Sequence, residues 1–346
     1  MGRRNRSYHK SLMEQANARL VSMQHFGESK KAAMADGTEK DKIFSAGTYH
    51  SYYKHIRYFC RWIQETHPEC TTLRAARKYV NEWLEMREKS VNAKGESLAA
   101  HTIQLEAKAL GKLYGITPED DDYYVPPKRN RVDIKRSRGP AVRDANFSEA
   151  NNYELVRFCR GTGLRRMELE KLKPEDLRTR AEIEARIEEL EKIPKERRTD
   201  AEEKELSILR DTEYFAGTEY FLSIKGKGGR VRLSPIIGTA SEAIVERIRS
   251  TPVGENVWQY VNSNADIHGY RAEYATAIYK AHARKIEDIP FDAVNKGTGR
   301  KYQSEVYTCR KDEAGKKLDK AAMLIASKAL GHNRISVVAD NYIREL

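Results

Sequence analysis

The feature that most limits how this chain can fold is a short basic segment near its middle. Residues 125–140 contain three prolines and a glycine, which a helix interior does not tolerate, so the segment is predicted to be extended. A single acidic residue, Asp133, stands among six basic ones. The basic residues are Lys128, Arg129, Arg131, Lys135, Arg136 and Arg138. Because helical patterns lie on both sides, two domains are predicted, joined by a basic linker over residues 119–146.

The charge of the chain favours a polyanionic partner. The 346 residues include 63 Lys and Arg against 51 Asp and Glu, a net charge of +12, and the sequence pI is about 9.3. The excess is concentrated in residues 1–140, which hold 26 basic and 17 acidic side chains. Net charge indicates partners and not fold. The linker is therefore either a solvated tether or a strap along a phosphate backbone, and in the second case the side chains that would bind the phosphates are Arg129, Arg131, Lys135, Arg136 and Arg138.

Composition argues against several classes of protein. No apolar run approaches the ~18 residues of a membrane span, and the basic N-terminus lacks the apolar stretch of a signal peptide. The four cysteines are too few for a disulfide scaffold, and none forms a CxxC pair, so no structural metal is expected. A soluble intracellular protein that contacts no membrane is predicted.

The N-terminal part is predicted to be all-α. Residues 1–44 are interpreted as a basic, polar helical leader with weak core potential, and residues 45–118 as a helical domain. The first helix of that domain has one apolar face, which is predicted to be core and not a base-stacking platform. This face consists of Tyr52, Ile56, Phe59 and Ile63. Further helices are predicted at about 73–87 and 98–113.

The C-terminal part, residues 147–346, combines helices with a small antiparallel sheet. Ser148 is predicted to cap a helix that is broken by Gly161-Thr162-Gly163. Two short β-prone runs, 220–224 and 231–233, flank a glycine-rich turn and predict a hairpin. Additional helices are predicted at 241–249, 269–284, 320–330 and up to Tyr342. The fold class is therefore mainly α with a small antiparallel β-sheet.

A highly charged insertion interrupts this part at about residues 178–213. It holds 9 basic and 12 acidic residues, and Ile183, Ile187 and Leu190 recur at helical spacing. We predict a helical hairpin that stands out from the domain, either as a solvated spacer or as a protein-contact arm.

A set of short motifs, each weak alone, becomes specific through its order. The motifs are Thr162-Gly163-Leu164-Arg165 with Glu168-Leu169, Gly226-Lys227-Gly228 in the hairpin, Arg310, Leu330-Gly331-His332, and Tyr342. In this order they resemble the tyrosine recombinase (phage integrase) family, over roughly residues 45–346. The resemblance implies an all-α core-binding, DNA-binding domain at 45–118 and an α+β catalytic domain at 147–346.

The resemblance also implies the reaction: a site-specific recombinase that cleaves and rejoins DNA through a 3′-phosphotyrosine intermediate. Because the covalent link preserves the bond energy, no cofactor and no metal are needed. The implied partner is double-stranded DNA at a specific site, bound by a homotetramer. An integrase of a mobile genetic element, cytoplasmic and nucleoid-associated, is the expected setting.

The site residues implied by the resemblance fit this chemistry. Guanidiniums stay charged and donate in a planar fork, which suits Arg165 and Arg310 to the phosphate oxygens. Tyr342 matches the nucleophile, and because a phenol ordinarily ionises near pH ~10, it needs cationic neighbours. Lys227 matches the general acid for the leaving 5′ oxygen. His332 matches the histidine that hydrogen-bonds the phosphate, and Glu168 a support for the first arginine.

Three departures from the family pattern concern the end of the chain. The family usually has a His three residues before its second arginine, where this chain has Tyr307, and Lys311 stands where another His is common. Tyr307 and Lys311 are kept as supporting residues. His332 and Tyr342 are ten residues apart, one more than usual. Because only four residues follow Tyr342, the tail with which many relatives contact a neighbouring subunit is either missing or truncated.

A second class of function stays open at this point. A DNA-binding regulator could keep the fold and have lost catalysis, and Tyr307 and Lys311 lend it support. The loss of catalysis is argued against by the residues that match the family's catalytic positions: Arg165, Lys227, Arg310, His332 and Tyr342. A helical adaptor organised by the 178–213 insertion is a third possibility.

Overall fold

The structure, a computed structural model, describes most of the chain in two compact units. The described residues are 10–93, 95–129, 146–226, 229–289, 305–309, 313–332 and 334–343. The units are Met1–Asp133 and Ile134–Leu346, so the division falls inside the predicted linker. Both are mainly helical, and the described strands form small antiparallel sheets, which confirms the predicted fold class. None of the described helices has the length and apolar character needed to span a membrane.

The N-terminal unit is all-α over its described residues. Its helices are α1 (Leu12–Ser22), α2 (Lys30–Ala35), α3 (Ala46–Thr66), α4 (Leu73–Ala76), α5 (Val80–Lys89) and α6 (Ala100–Tyr114). Ser45 caps α3, its side chain accepting the Thr48 N–H at 3.2 Å. As predicted, Ile56, Phe59 and Ile63 on this helix are buried in the core.

The predicted leader is in fact part of this core. Leu12, Ala16 and Leu20 on α1 are at most 3% exposed and belong to the same apolar cluster as Ile56 and Phe59 of α3. The polar composition of residues 1–44 hid this packing because one short apolar stripe suffices to dock a helix.

The C-terminal unit surrounds two apolar clusters with helices and short strands. In chain order the elements are α7 (Tyr153–Thr162), α8 (Arg166–Leu169), β1 (Leu177–Thr179), α9 (Arg180–Glu191), α10 (Asp200–Arg210), β2 (Tyr220–Lys225), β3 (Val231–Pro235), α11 (Ser241–Ser250), α12 (Ile267–His282), β4 (Val306–Thr308), β5 (Lys317–Asp319), α13 (Lys320–Leu330) and α14 (Ile335–Asn341). The helix expected to be capped by Ser148 begins later, at Tyr153, since Ser148 instead caps a preceding turn through the Asn151 N–H.

The sheets are antiparallel. Strands β1, β2 and β3 are neighbours in that order, with Leu177 opposite Leu222 and Leu222 opposite Ser234. The β2–β3 pair is the predicted hairpin. Strands β4 and β5 form a separate pair, with Tyr307 opposite Leu318, which the sequence patterns did not predict.

The charged insertion forms the predicted helical hairpin, α9 and α10, but the hairpin does not stand away from the unit. Ion pairs join its two helices, Arg186 to Glu205 at 2.9 Å and Arg210 to Glu191 at 2.6 Å. Its apolar face packs on the core, where Ile183 is 2% exposed. Burial of this face offsets the polar composition that suggested an extended arm.

Gly163 sets the direction in which the chain leaves α7 toward Arg165. It has φ of +60° as the C-terminal cap, a conformation that favours glycine. A Cβ at this position would overlap the ring of Tyr274, which is fully buried. Gly163 therefore serves both the turn and the close approach of α7 to α12.

We expect Gly163→Ala to lower the free energy of unfolding of the C-terminal unit by about 2–4 kcal/mol, from overpacking plus left-handed strain. Gly217→Ala is the matched control, since Gly217 has φ of +82° and open space around it. It should cost about 1 kcal/mol. The free energies of unfolding of both variants are measured by urea unfolding followed by Trp258 fluorescence, with Trp62 and Trp83 replaced by Phe. Equal losses of stability in the two variants would contradict the overlap between a Cβ at position 163 and the Tyr274 ring.

Candidate active site

Arg165 begins the site at the turn between α7 and α8. Its backbone N–H donates to Glu168 Oε2 at 2.8 Å, and its Nη1 donates to Glu168 Oε1 at 2.7 Å. The Arg165 side chain is 28% exposed and that of Glu168 only 6%. The carboxylate therefore fixes both the backbone and the guanidinium of Arg165, while leaving part of the guanidinium accessible.

Arg232, on β3, also binds the Glu168 carboxylate, through both of its oxygens. Its Nη1 and Nη2 donate to Glu168 Oε1 and Oε2 at 3.1 and 2.8 Å, a bidentate pair, and its Nε donates to the Ala329 carbonyl at 3.1 Å. Burial disfavours the charge on Glu168, but the Arg232 hydrogen bonds and charge outweigh it and lower the pKa of Glu168 to about 2. Glu168 is thus a carboxylate that stays ionised and supports two arginines.

Tyr342 follows α14, and its hydroxyl lies between a guanidinium and an imidazole. Arg271 Nε donates to the Tyr342 hydroxyl at 3.3 Å, and His332 Nε2 lies 3.3 Å from the same oxygen. Tyr342 is 8% exposed. The Tyr342 carbonyl accepts from Thr276 Oγ1 at 3.3 Å, which ties the residue to α12. The phenol is therefore positioned by Arg271 of α12 and by His332, which follows α13, and its backbone by Thr276.

Arg271, on α12, is fully buried and is stabilised by backbone carbonyls, with no carboxylate partner among the residues that the structure describes. Its Nη2 donates to the Leu330 carbonyl at 2.7 Å, and its Nη1 donates to the Gly163 carbonyl. Both carbonyls lie at helix C-termini, where the helix dipole is negative. Burial lowers the pKa of Arg271 to about 10, which leaves it charged at neutral pH.

The site carries more positive than negative charge. Arg165, Arg232 and Arg271 form ion pairs with no carboxylate except Glu168 among the described residues. Burial and the charges of these arginines lower the pKa of His332 to about 4, so its ring is neutral at pH 7. Beside them lies a cavity of about 40 Å³. Its lining residues are Arg165, Gly226, Arg230, Arg232 and Gly331. Such a cavity suits an anionic group.

The structure brings together four of the predicted site residues, Arg165, Glu168, His332 and Tyr342. Tyr307 lies on β4 and packs partly buried against the apolar cluster that contains Leu318. Of the predicted DNA-binding residues, Arg129 is exposed. The remaining predicted residues lie outside the described parts of the chain: Lys227, Arg310, Lys311, Arg131, Lys135, Arg136 and Arg138.

Sequence analysis missed Arg271 and Arg232. The signal for Arg271 was present, because His268 stands three residues before it, the spacing expected before a second arginine. Its helix, α12, was predicted, but an arginine inside a helix usually indicates a solvated face. Arg232 directly follows the turn that contains Lys227, and its burial in β3 could not be inferred from alternation alone.

The chain matches no protein-family model and no curated protein sequence. In the described parts of the chain no cluster of three or more acidic, histidine or cysteine side chains could hold a metal ion.

Replacing Glu168 by Gln is expected to destabilise the C-terminal unit by about 3–5 kcal/mol, because Arg232 would keep its buried charge and lose its anion. The control is Glu154→Gln, which breaks the exposed pair with Arg247 and should cost less than about 1 kcal/mol. Urea unfolding of both variants tests this. A Glu168→Gln loss as small as that of the control would show that the carboxylate does not balance the arginines.

The titration of His332 gives a second test. Its pKa of about 4 in the folded chain lies below the ordinary value of 6.5. The unfolded state therefore binds more protons between these values, and stability should fall as the pH drops from 6.5 to 4. NMR of the imidazole ring protons, with His332→Gln for assignment and His101→Gln as an exposed control, measures the midpoint. A midpoint at 6 or above would contradict the crowding of cations around His332.

Proposed function

We propose that this protein is a tyrosine-type site-specific DNA recombinase that cleaves and rejoins DNA with Tyr342 as the nucleophile. The observation that carries the proposal is the position of the Tyr342 hydroxyl, 3.3 Å from both Arg271 Nε and His332 Nε2, in a site with excess positive charge. A phosphodiester is an anion that would balance the excess positive charge of such a site. The order of sequence motifs supports the same conclusion.

In the proposed reaction, the Tyr342 oxygen attacks the phosphorus and the P–O5′ bond breaks. The neutral His332 ring can accept the phenol proton, and Arg271 stabilises the phenolate as it forms. Arg165, whose side chain is partly exposed, binds a non-bridging oxygen where negative charge develops. We assign the second arginine of the family pattern to Arg271 in place of Arg310. Protonation of the leaving oxygen by Lys227 stays a prediction.

The remaining elements of the proposal concern the partner and setting. The N-terminal helical unit and the basic linker, which includes Arg131 and Arg138, would bind the duplex. We further propose that four protomers assemble on two synapsed DNA sites. The protein would act as the integrase of a mobile element and would be located at the nucleoid. A binding-only regulator would use the same arginines but would form no covalent product.

The test is a search for a covalent adduct with DNA. Nicked duplexes with a randomised central sequence and a 5′ label are incubated with the protein, so that the short 5′-hydroxyl fragment dissociates and traps the intermediate. Tyr342→Phe removes only the hydroxyl and should reduce SDS-resistant labelled adduct by at least ~10³-fold. Tyr260→Phe, at a tyrosine that is 72% exposed, is the matched control and should not change the yield.

Mass spectrometry of the protease-digested adduct then identifies the modified residue. An adduct on the peptide containing Tyr342, with a free 5′-hydroxyl on the released fragment, is the expected product. An adduct that survives Tyr342→Phe would reject this nucleophile. DNA binding by the wild-type chain with no adduct on any library member would favour the regulator.

A further inference from the structure

Arg166, the residue after Arg165, connects two parts of the C-terminal unit that carry different arginines of the site. It is the first residue of α8, and its guanidinium reaches the loop that precedes α12. Each terminal nitrogen donates two hydrogen bonds to main-chain oxygens. The acceptors are the carbonyls of Val261 (3.1 Å), Asn262 (3.0 Å), Ser263 (3.2 Å) and Ala265 (2.9 Å). One side chain thereby binds four of the last residues of this loop before α12 begins.

This loop determines where α12 begins. The Ala265 carbonyl that accepts from Arg166 also accepts the Ile267 N–H at 3.0 Å, at the first residue of the helix. Asp266 caps the helix, its Oδ1 accepting the Gly269 N–H at 2.9 Å. Arg271 follows Ile267 by four residues, about one turn. A shift of the loop would therefore shift the guanidinium that contacts Tyr342.

The residue type matters at this position. Arg166 forms no ion pair among the described residues. Its positive charge instead interacts with the dipoles of four backbone carbonyls. A planar guanidinium presents several donors in a fixed fork, whereas a lysine has its donors on a single nitrogen and cannot span four acceptors.

We propose that Arg166 is a positioning residue that sets the separation of Arg165 and Arg271, so that both reach the same phosphate. The inference rests on the proposed function. A displacement of about 1 Å in a reacting group can cost ~10²-fold in rate. Affinity for DNA, in contrast, is spread over many phosphate contacts. Loss of Arg166 should thus act on the rate of strand cleavage and not on DNA binding.

The experiment compares Arg166→Lys with Arg160→Lys. Arg160, on α7, is likewise linked to this part of the unit, through Glu273 of α12 at 2.5 Å, but it is 41% exposed and its hydrogen bonds go to Glu273 and Glu149 and not to the loop. For Arg166→Lys we expect the rate of adduct formation at saturating DNA to fall by about 10²-fold. The DNA concentration that gives the half-maximal rate should change less than about threefold, because binding is spread over many contacts. Arg160→Lys should change both less than about threefold.

Titration of His332 by NMR supplies a readout that needs no reaction. If Arg165 and Arg271 move apart, less positive charge faces the imidazole, and its midpoint should rise from about 4 toward 6.5. Should Arg166→Lys fail to fold, Arg166→Gln is used for both measurements. An unchanged rate and midpoint, or equal losses in rate and affinity, would overturn the inference. Absence of adduct with the wild-type chain would reject the proposed function, while the midpoint would still test Arg166.

Discussion

The C-termini of two helices meet around Arg271, and the arrangement of the candidate site depends on that meeting. A fully buried guanidinium usually requires a carboxylate, because the cost of removing a charge from water is several kcal/mol. Here the Gly163 and Leu330 carbonyls, at the ends of α7 and α13, supply partial negative charge instead. Arg271 is solvated by these dipoles but not neutralised, so its charge remains able to act on a phenolate or a phosphate.

Glu168 and His332 affect the net charge of the candidate site in different ways. Glu168 neutralises one arginine of the site and orients two, Arg165 and Arg232, through four hydrogen bonds. A second carboxylate would cancel the attraction for an anion, and none pairs with these arginines in the described parts of the chain. The neutral His332 ring adds an acceptor near the phenol without adding charge. Burial, and the same crowding of cations that would attract the proposed phosphate, keep this ring deprotonated.

The sequence predicted those features that depend on local pattern. Helical periodicity located most helices, the glycine-rich turn located the β2–β3 hairpin, and motif order located Arg165, Glu168, His332 and Tyr342. Features set by tertiary packing were missed. α1 appeared too polar to join a core, and β4 and β5, with three paired residues each, are too short for a strand pattern to be recognised.

Arg271 illustrates the limit best. Its helix also buries Tyr270 and Tyr274, and the exposed residues Glu273, Ala277 and Lys280 recur at helical spacing on the opposite side of α12, so Arg271 lies on the face that packs inward. Its burial is stabilised by carbonyls at the ends of two other helices, which accept its hydrogen bonds, and those helix ends lie more than fifty residues away in either direction. The spacing from His268 was visible in the sequence, but nothing local distinguished it from chance.

The same geometry explains how the chain accommodates a long charged insertion between Arg165 and Arg232. The site is built where α7, β3, α12, α13 and α14 pack directly on one another, and each of its hydrogen bonds lies within that group or to α8. The α9–α10 hairpin enters the chain between α8 and β2 and packs, through Ile183, on the apolar cluster that also contains Leu233 of β3. The positions of the guanidiniums are set by packing and by helix-end carbonyls and not by the connecting segments. The number of residues between motifs can therefore vary without moving the guanidiniums.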